Sequence, residues 1–188
     1  MLLLVRHGQT AENARGLLLG RSDPPLSSTG RQQAAALVRI VPAGARVVSS
    51  PLLRARETAA AFGRPFEIDE RWVELDYGEL DGARPETVDE ATWARWRVDA
   101  SYVPAGGESL AAVGRRVRAA CEDLASDATR GDVAVVTHVS PIKAAIAWAL
   151  DADDTTAWRL FVLDASVARI RFDAHGPVLL GFNEVPPG

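Results

Sequence analysis

The sequence predicts an α/β fold with a mainly parallel central sheet covered by helices on both faces. Two observations carry this. Three short apolar runs, 1–5, 46–49 and 132–136, have the length of strands but lack the polar–apolar alternation of a half-exposed sheet. Between them lie segments with helical spacing of apolar residues, and strands that alternate with helices build parallel sheets.

The elements follow in order. Residues 1–5 form the first buried strand. Ser28 stands where a helix over 29–41 needs a cap, and Pro42 and Gly44 end that helix. Residues 46–49 form the second strand. Pro51 suits the first position of the next helix, which reaches Phe62 and stops at Gly63 and Pro65. Residues 66–69 read as a shorter strand, and 74–82 as a loop punctuated by Gly78 and Gly82. A helix over 86–99 is separated by Pro104, Gly106 and Gly107 from a long amphipathic helix over 108–128. The third buried strand is 132–136, and a helix over 140–150 follows. Residues 166–172 and 178–182 read as two strands joined by a turn at His175 and Gly176. No linker divides the chain, so 1–188 is expected to be one domain, with 83–106 a small helical insertion over the sheet edge.

Composition narrows the function. The hydrophobic fraction of 47% is enough for a core without a stapling disulfide, and Cys121, the single cysteine, permits none within the chain. This suits a reducing compartment. The formal net charge of -4 gives no general attraction for nucleic acid or an anionic membrane. The apolar opening is too short for a secretory segment, and no stretch approaches the ~20 apolar residues needed to span a bilayer. A cytoplasmic protein is expected. Nothing in the sequence specifies an oligomeric state.

In open α/β folds ligands bind beyond the carboxyl ends of the parallel strands. Here the first strand ends in Arg6-His7-Gly8. The second ends in Ser49-Ser50-Pro51, with Arg54 in the next helical turn, and the third ends in Thr137-His138. Two of the three histidines and two arginines therefore meet at one rim. Arg6 and Arg54 each present a planar fork of donors that fits phosphoryl oxygens, and backbone N–H groups near Gly8 add to them. Gly8 also lets the backbone approach closely. Two guanidinium groups keep a neighbouring imidazole neutral and able to attack. With these cations in place no metal is required, and no clustered metal-ligand spacing occurs. A small phosphate ester is the implied substrate, with no cofactor.

These residues resemble the signature of the histidine phosphatase superfamily, the phosphoglycerate-mutase-like family. The string Leu4-Val5-Arg6-His7-Gly8-Gln9-Thr10 with Asn13 resembles its first motif, and Asp23-Pro24-Pro25-Leu26-Ser27 through Gly30 the loop that follows. Ser49-Ser50-Pro51-Leu52-Leu53-Arg54-Ala55 resembles its second arginine motif. Glu74-Leu75-Asp76-Tyr77-Gly78 is similar to its acid-bearing loop, Gly106-Gly107-Glu108-Ser109 to a helix start, and Val135-Val136-Thr137-His138 to its second histidine motif. The resemblance implies a three-layer α/β/α sandwich. It implies His7 as the nucleophile that becomes phosphohistidine. Arg6, Arg54 and His138 would hold the phosphoryl group, with Asn13, Gly8 and the Val139 N–H assisting, and Glu74 would be the general acid and then base. Val139 stands where the family often has glycine. It also excludes the acidic residue that the phytase-like branch carries there, which favours Glu74. The run His138-Val139-Ser140-Pro141-Ile142-Lys143 looks most like phosphatases related to α-ribazole phosphatase.

The favoured function is therefore hydrolysis of a small phosphomonoester. A phosphoglycerate mutase is the first alternative; the mutases of the family carry longer segments enclosing the site, and 74–107 is short. A catalytically inactive scaffold on the same fold is the second, although all four key residues are present. Other residues have plainer readings. Trp93 and Trp96 are spaced for packing, although an insertion that sets substrate choice would use them together with Arg95, Arg97 and Tyr102. Arg115, Arg116 and Arg118 read as a solvated helix face and Cys121 as a core residue. His175 belongs to a turn, and Arg54 with Glu57 has the spacing of an ordinary helical ion pair.

Overall fold

The computed structural model describes residues 1–187; Gly188, the last residue of the expected domain, lies outside them. Its strands are β1 (Leu2–Arg6), β2 (Arg46–Ser49), β3 (Glu67–Ile68), β4 (Val133–Thr137), β5 (Val167–Asp173) and β6 (Gly176–Glu184). They form one six-stranded sheet in the order β3-β2-β4-β1-β5-β6. The pairs β1–β4, β2–β4 and β2–β3 are parallel, whereas β1–β5 and the hairpin β5–β6 are antiparallel.

The central strands are apolar throughout because both of their faces are covered. Successive side chains of a strand point to opposite faces. Leu2 and Leu4 of β1 join Val133 and Val135 of β4 in one core cluster, while Leu3 and Val5 join Ala134 and Val136 in the other. The first face is covered by α5 (Leu110–Arg130) and α6 (Val139–Ala149), the second by α2 (Ser28–Leu37) and α3 (Leu53–Ala60). This is the three-layer sandwich the sequence implies. Helix α5 buries Leu110, Val113, Val117, Ala120, Cys121, Leu124 and Ala128, a stripe at three- and four-residue spacing. Fully burying each leucine or valine contributes about 1.5–3 kcal/mol, and an aspartate at Val117 would be a buried charge without a partner.

Several boundaries move for local reasons. Ser27, not Ser28, caps α2, its Oγ accepting from the Gly30 N–H at 3.0 Å. Ser109 caps α5 in the same way, accepting from Ala112 at 3.1 Å, so that helix starts later than Glu108 and runs on to Arg130. Pro51 precedes α3 rather than opening it. The helix expected over 86–99 divides into a 3-10 turn, Pro85–Thr87, and α4 (Glu90–Val98), because Asp89 caps α4 through the Thr92 N–H. A four-residue helix, α1 (Ala11–Ala14), is absent from the sequence reading; Thr10 and Asn13 close it with reciprocal capping bonds.

The two insertion tryptophans pack. Trp96 is fully buried, and Trp93 stacks on it with ring centroids 5.7 Å apart. Trp158, from the 3-10 segment Asp154–Arg159, meets Trp93 at 5.7 Å and Trp96 at 5.6 Å, and its indole N–H donates to the Trp96 carbonyl. Aromatic pairs in such geometry add about 0.5–1.5 kcal/mol beyond burial. Arg116 also departs from its expected place on a solvated face. Its guanidinium binds Glu108 at 2.9 and 3.0 Å, and donates to the carbonyls of Arg71 and Glu74. It ties the acid-bearing loop to α5.

Candidate active site

The site lies at the carboxyl ends of β1, β2 and β4. Each strand passes the chain directly to a polar residue: β1 to His7, β2 to Ser50 and β4 to His138. The parallel register, Arg6 beside Thr137 and Ser49 beside Val136, sets these ends level. The His7 and His138 rings lie 5.0 Å apart between centroids, at 60°. His7, Arg54, Glu74 and His138 are all buried, at 2%, 0%, 3% and 0% exposure, so the sequence-distant candidates converge in a low-dielectric place.

The state of His7 follows from its partners. Its Nδ1 donates to the Gly8 carbonyl at 2.7 Å, which leaves the lone pair on Nε2. Nε2 accepts from Arg54 Nε at 3.2 Å. Burial first, then the charges of Arg54 and Arg6, hold the imidazole well below its ordinary value of 6.5, against the weaker pull of the Gly8 carbonyl. His7 is thus neutral near pH 7, with an unprotonated Nε2 whose lone pair faces Arg54.

His138 is neutral for the same reasons, burial first and then Arg54, His7 and Arg6. Its Nε2 lies 2.7 Å from Ser50 Oγ, which already accepts from the Leu52 N–H. In the tautomer where the serine proton is directed at Nε2, the imidazole proton resides on Nδ1. That Nδ1 is buried with no partner among the described residues, as is the Nε of Arg6. The remaining nitrogens of Arg6 are fixed, one donating to the Val162 carbonyl at 2.6 Å and one paired with Asp164 at 2.8 Å. Two buried donors beside a neutral nucleophile await acceptors, an arrangement that costs free energy unless a ligand completes it.

Arg54 is held by the backbone. It donates to the carbonyls of Ser22 at 2.7 Å and Gly20 at 2.8 Å. Its helical neighbour Glu57 turns away, accepting from the Leu26 N–H at 2.7 Å. The 20–22 segment is itself fixed by Asp81, whose carboxylate accepts from the Gly20 N–H at 2.9 Å and the Ser22 N–H at 2.8 Å.

Glu74 accepts from the N–H groups of Leu75 at 2.7 Å, Ser140 at 3.0 Å and Val139 at 3.0 Å. Its carboxylate caps the N-terminus of α6, where the helix dipole favours negative charge. The Val139 N–H, expected to meet phosphate, is engaged by Glu74 instead. The Gly8 N–H is likewise engaged, by Thr58 Oγ1 at 3.1 Å. Gly8 serves close packing: a Cβ there would lie 2.3 Å from the Gly30 carbonyl oxygen, and one on Gly30 would lie 2.0 Å from the Gln9 oxygen. Asn13 commits Oδ1 to the Thr10 N–H, which leaves its amide N–H groups as donors.

A cavity of about 110 Å³ opens over His7, lined by Arg6, Asn13, Leu17, Leu19, Glu74 and Tyr77 among others. It shares Arg6, Asn13 and Leu17 with an outer cavity of about 390 Å³ walled by Phe161, Leu163 and Asp164. No residue of 83–106 lines either cavity. Sequence reasoning missed Asp81, Asp164, Ser50, Thr58 and Tyr77. Each acts through a partner brought in by the fold, and an acid or hydroxyl in a loop carries no signal of that by itself. His175 sits in the exposed turn between β5 and β6, remote from this cluster, as its sequence context suggests.

The family model of the histidine phosphatase superfamily (branch 1) matches residues 2–185. The chain belongs to this superfamily. Among curated relatives, the "Bifunctional protein Rv2228c" of Mycobacterium tuberculosis is 38% identical over 185 residues, covering 93% of this chain and 51% of that protein. The chain thus spans about half the length of that relative. Phosphoserine phosphatase 1 of Hydrogenobacter thermophilus is 32% identical over 192 residues, covering 97% of this chain and 91% of the relative. Among solved structures, a phosphoserine phosphatase of Entamoeba histolytica in complex with 3-phosphoglyceric acid superimposes with a TM-score of 0.89 at 26% identity, covering 98% of this chain and 96% of that one. The histidine phosphatase fold is thereby shown for the sheet and its two helical layers.

Proposed function

We propose that this histidine phosphatase superfamily member hydrolyses small phosphomonoesters, without a metal, through a phosphohistidine on His7. The observation that carries this reading is the unprotonated Nε2 of His7 in a cluster that also holds two buried, unpartnered nitrogens, Arg6 Nε and His138 Nδ1, the two imidazole rings lying 5.0 Å apart. Their arrangement suits the oxygens of a phosphoryl group whose phosphorus meets Nε2. Arg54 Nε, now bonded to Nε2, is free to turn its proton to the same oxygens once the nitrogen is used. The amide of Asn13 is a further donor at the cavity wall. The Gly8 and Val139 N–H groups join only if Thr58 and Glu74 release them.

The steps balance as follows. The Nε2 lone pair attacks phosphorus, the ester P–O bond breaks, and the leaving alkoxide takes a proton from Glu74, which must enter this step as the carboxylic acid and leaves it as the carboxylate. Water then attacks the phosphohistidine, Glu74 accepts its proton, the P–N bond breaks and His7 returns neutral. Arg6 and Arg54 supply the positive charge that a metal would otherwise supply. The relatives named phosphoserine phosphatase support a small organic substrate. Phosphoserine and 3-phosphoglyceric acid also share a carboxylate near the phosphate. A reducing, cytoplasmic setting belongs to the same reading, supported by Cys121, a fully buried free thiol. Among the described residues no helix is long and apolar enough to cross a membrane.

The test is direct. Mass spectrometry after a rapid, acid-free quench is expected to find a phosphoryl adduct on His7 during turnover in excess EDTA. His7→Ala is expected to remain folded and lose hydrolysis. Normal turnover by His7→Ala, or activity abolished by EDTA and restored by a divalent ion, would overturn the mechanism.

A further inference from the structure

Lys143, the only lysine of the chain, lies on α6 beside the proposed phosphate site. It is half-buried, and burial pulls its ammonium below its ordinary value, with Glu74 opposing and Arg6 adding to the effect. No ion pair or hydrogen bond from another described residue meets it. It is the only charged residue lining a cavity of about 40 Å³ whose walls include Leu75, Leu110, Ala157 and Trp158, with Ser140 as a polar neighbour. Tyr77 and Val139 line both this cavity and the one over His7.

A desolvated cation without a counter-ion is unfavourable, and the half-buried cations nearest the site are paired. Arg6 has Asp164, and Arg116 has Glu108. Lysine is also the compact point charge suited to a single small anion, whereas a second phosphate would need more donors than this cavity offers. Its volume fits about one carboxylate.

We propose that Lys143 and Ser140 form a second anion subsite, which takes a carboxylate carried on the same small molecule whose phosphate meets His7. Tyr77 and Val139 line both cavities, so the two anion positions adjoin across the same pair of residues. The preferred substrates are then phosphorylated hydroxy or amino acids rather than neutral phosphomonoesters. This inference rests on the phosphatase reading, and it names the residue that would choose among substrates.

The test uses a matched pair of esters. 3-Phosphoglycerate and glycerol 3-phosphate differ only in bearing a carboxylate or a hydroxymethyl group at one end. In the wild type, kcat/KM for the acid is expected to exceed that for the alcohol roughly ten- to hundredfold, the scale of one hydrogen bond to a charged group. In Lys143→Met this ratio collapses toward one, and in Lys143→Arg most of it returns. A structural role for Lys143 would lower both substrates together and leave the ratio. A wild-type ratio near one, or a ratio retained by the methionine variant, overturns the subsite. Calorimetric binding of the two esters to His7→Ala reads the same ratio without turnover. If the wild type hydrolyses no ester yet this binding preference is present and needs Lys143, the phosphatase reading fails and the subsite stands. Equal binding of the two esters removes the subsite.

Discussion

Asp81 is expected to govern activity from outside the catalytic cluster. Its carboxylate holds the N–H groups of Gly20 and Ser22 at 2.9 and 2.8 Å, and the carbonyls of those same residues hold Arg54 at 2.8 and 2.7 Å. Arg54 in turn reaches His7 Nε2 at 3.2 Å. Asp81→Ala removes both carboxylate bonds. Each is worth about 1.5–3 kcal/mol when fully desolvated, but Asp81 is only half-buried and water can replace it. The net loss of stability is then roughly 1–2 kcal/mol, a fall in Tm of roughly 2–8 °C for a chain of this size. Activity is expected to fall further, because a shift of about 1 Å in a positioning group can cost ~100-fold. A drop of ~10- to 100-fold in kcat/KM, measured well below Tm, is the expected outcome, with partial rescue by Asp81→Glu. The decisive assay is a double-mutant cycle with Arg54→Lys. If Asp81 acts through Arg54, the second substitution adds little to the first. Full additivity, or a variant that loses stability yet keeps kcat/KM, would refute the chain of contacts.

Other outcomes follow from the same geometry. Glu74→Gln is expected to slow the phosphorylation of His7 by alkyl phosphates ~100-fold or more in single-turnover assays while sparing that step with p-nitrophenyl phosphate, whose leaving group needs no proton; equal loss of this step on both would point to a different acid. Its amide also turns a donor toward the N–H groups of Leu75, Val139 or Ser140, so a lower Tm should accompany the kinetic change. His7 and His138 are held below the ordinary 6.5 in the folded state, so the unfolded chain binds more protons as pH falls. Their contribution to stability is present above 6.5 and declines below it, by up to about 1.4 kcal/mol per pH unit for each imidazole. Unfolding free energies that stay constant between pH 7.5 and 5.5 would contradict the buried neutral pair. Gly8→Ala is expected to yield little folded protein, because the new Cβ meets the Gly30 carbonyl oxygen at 2.3 Å; normal yield and Tm would show that the two backbones can separate.

The sequence made the sheet legible because its central strands have no polar face to hide. Val5, Val48 and Val135 sit in runs too short for helices, and each run ends where a polar residue begins. That same transition exposed Arg6, His7 and His138, since a charged or titratable side chain directly after a buried strand lies at the rim of the sheet. Arg54 followed from its place one turn beyond the second strand, whereas Glu74 needed the motif resemblance, because neither burial nor partner can be read from a loop. What stayed hidden was the local competition for caps, which moved α2, α4 and α5. So did the partners supplied by distant segments, such as Asp164 to Arg6 and Arg116 to the Glu74 carbonyl.

The insertion carries a pattern that suits two purposes. Two tryptophans with arginines and a tyrosine suit a pocket for an organic group, and the same composition suits a packing strap. The decisive fact is where the polar edges go. Trp93 donates to the Pro85 carbonyl and Trp158 to the Trp96 carbonyl, while Trp96 is fully buried, so its unpartnered indole N–H does not reach the surface. The walls that a substrate would meet come instead from 17–19, Tyr77, Phe161 and Leu163. In the proposed reading the substrate walls belong to segments that flank the strand ends, and 83–106 reaches them through Tyr77, whose ring lies 5.9 Å from Trp96. Weakening that contact should move Tyr77 and with it the wall shared by the two anion cavities.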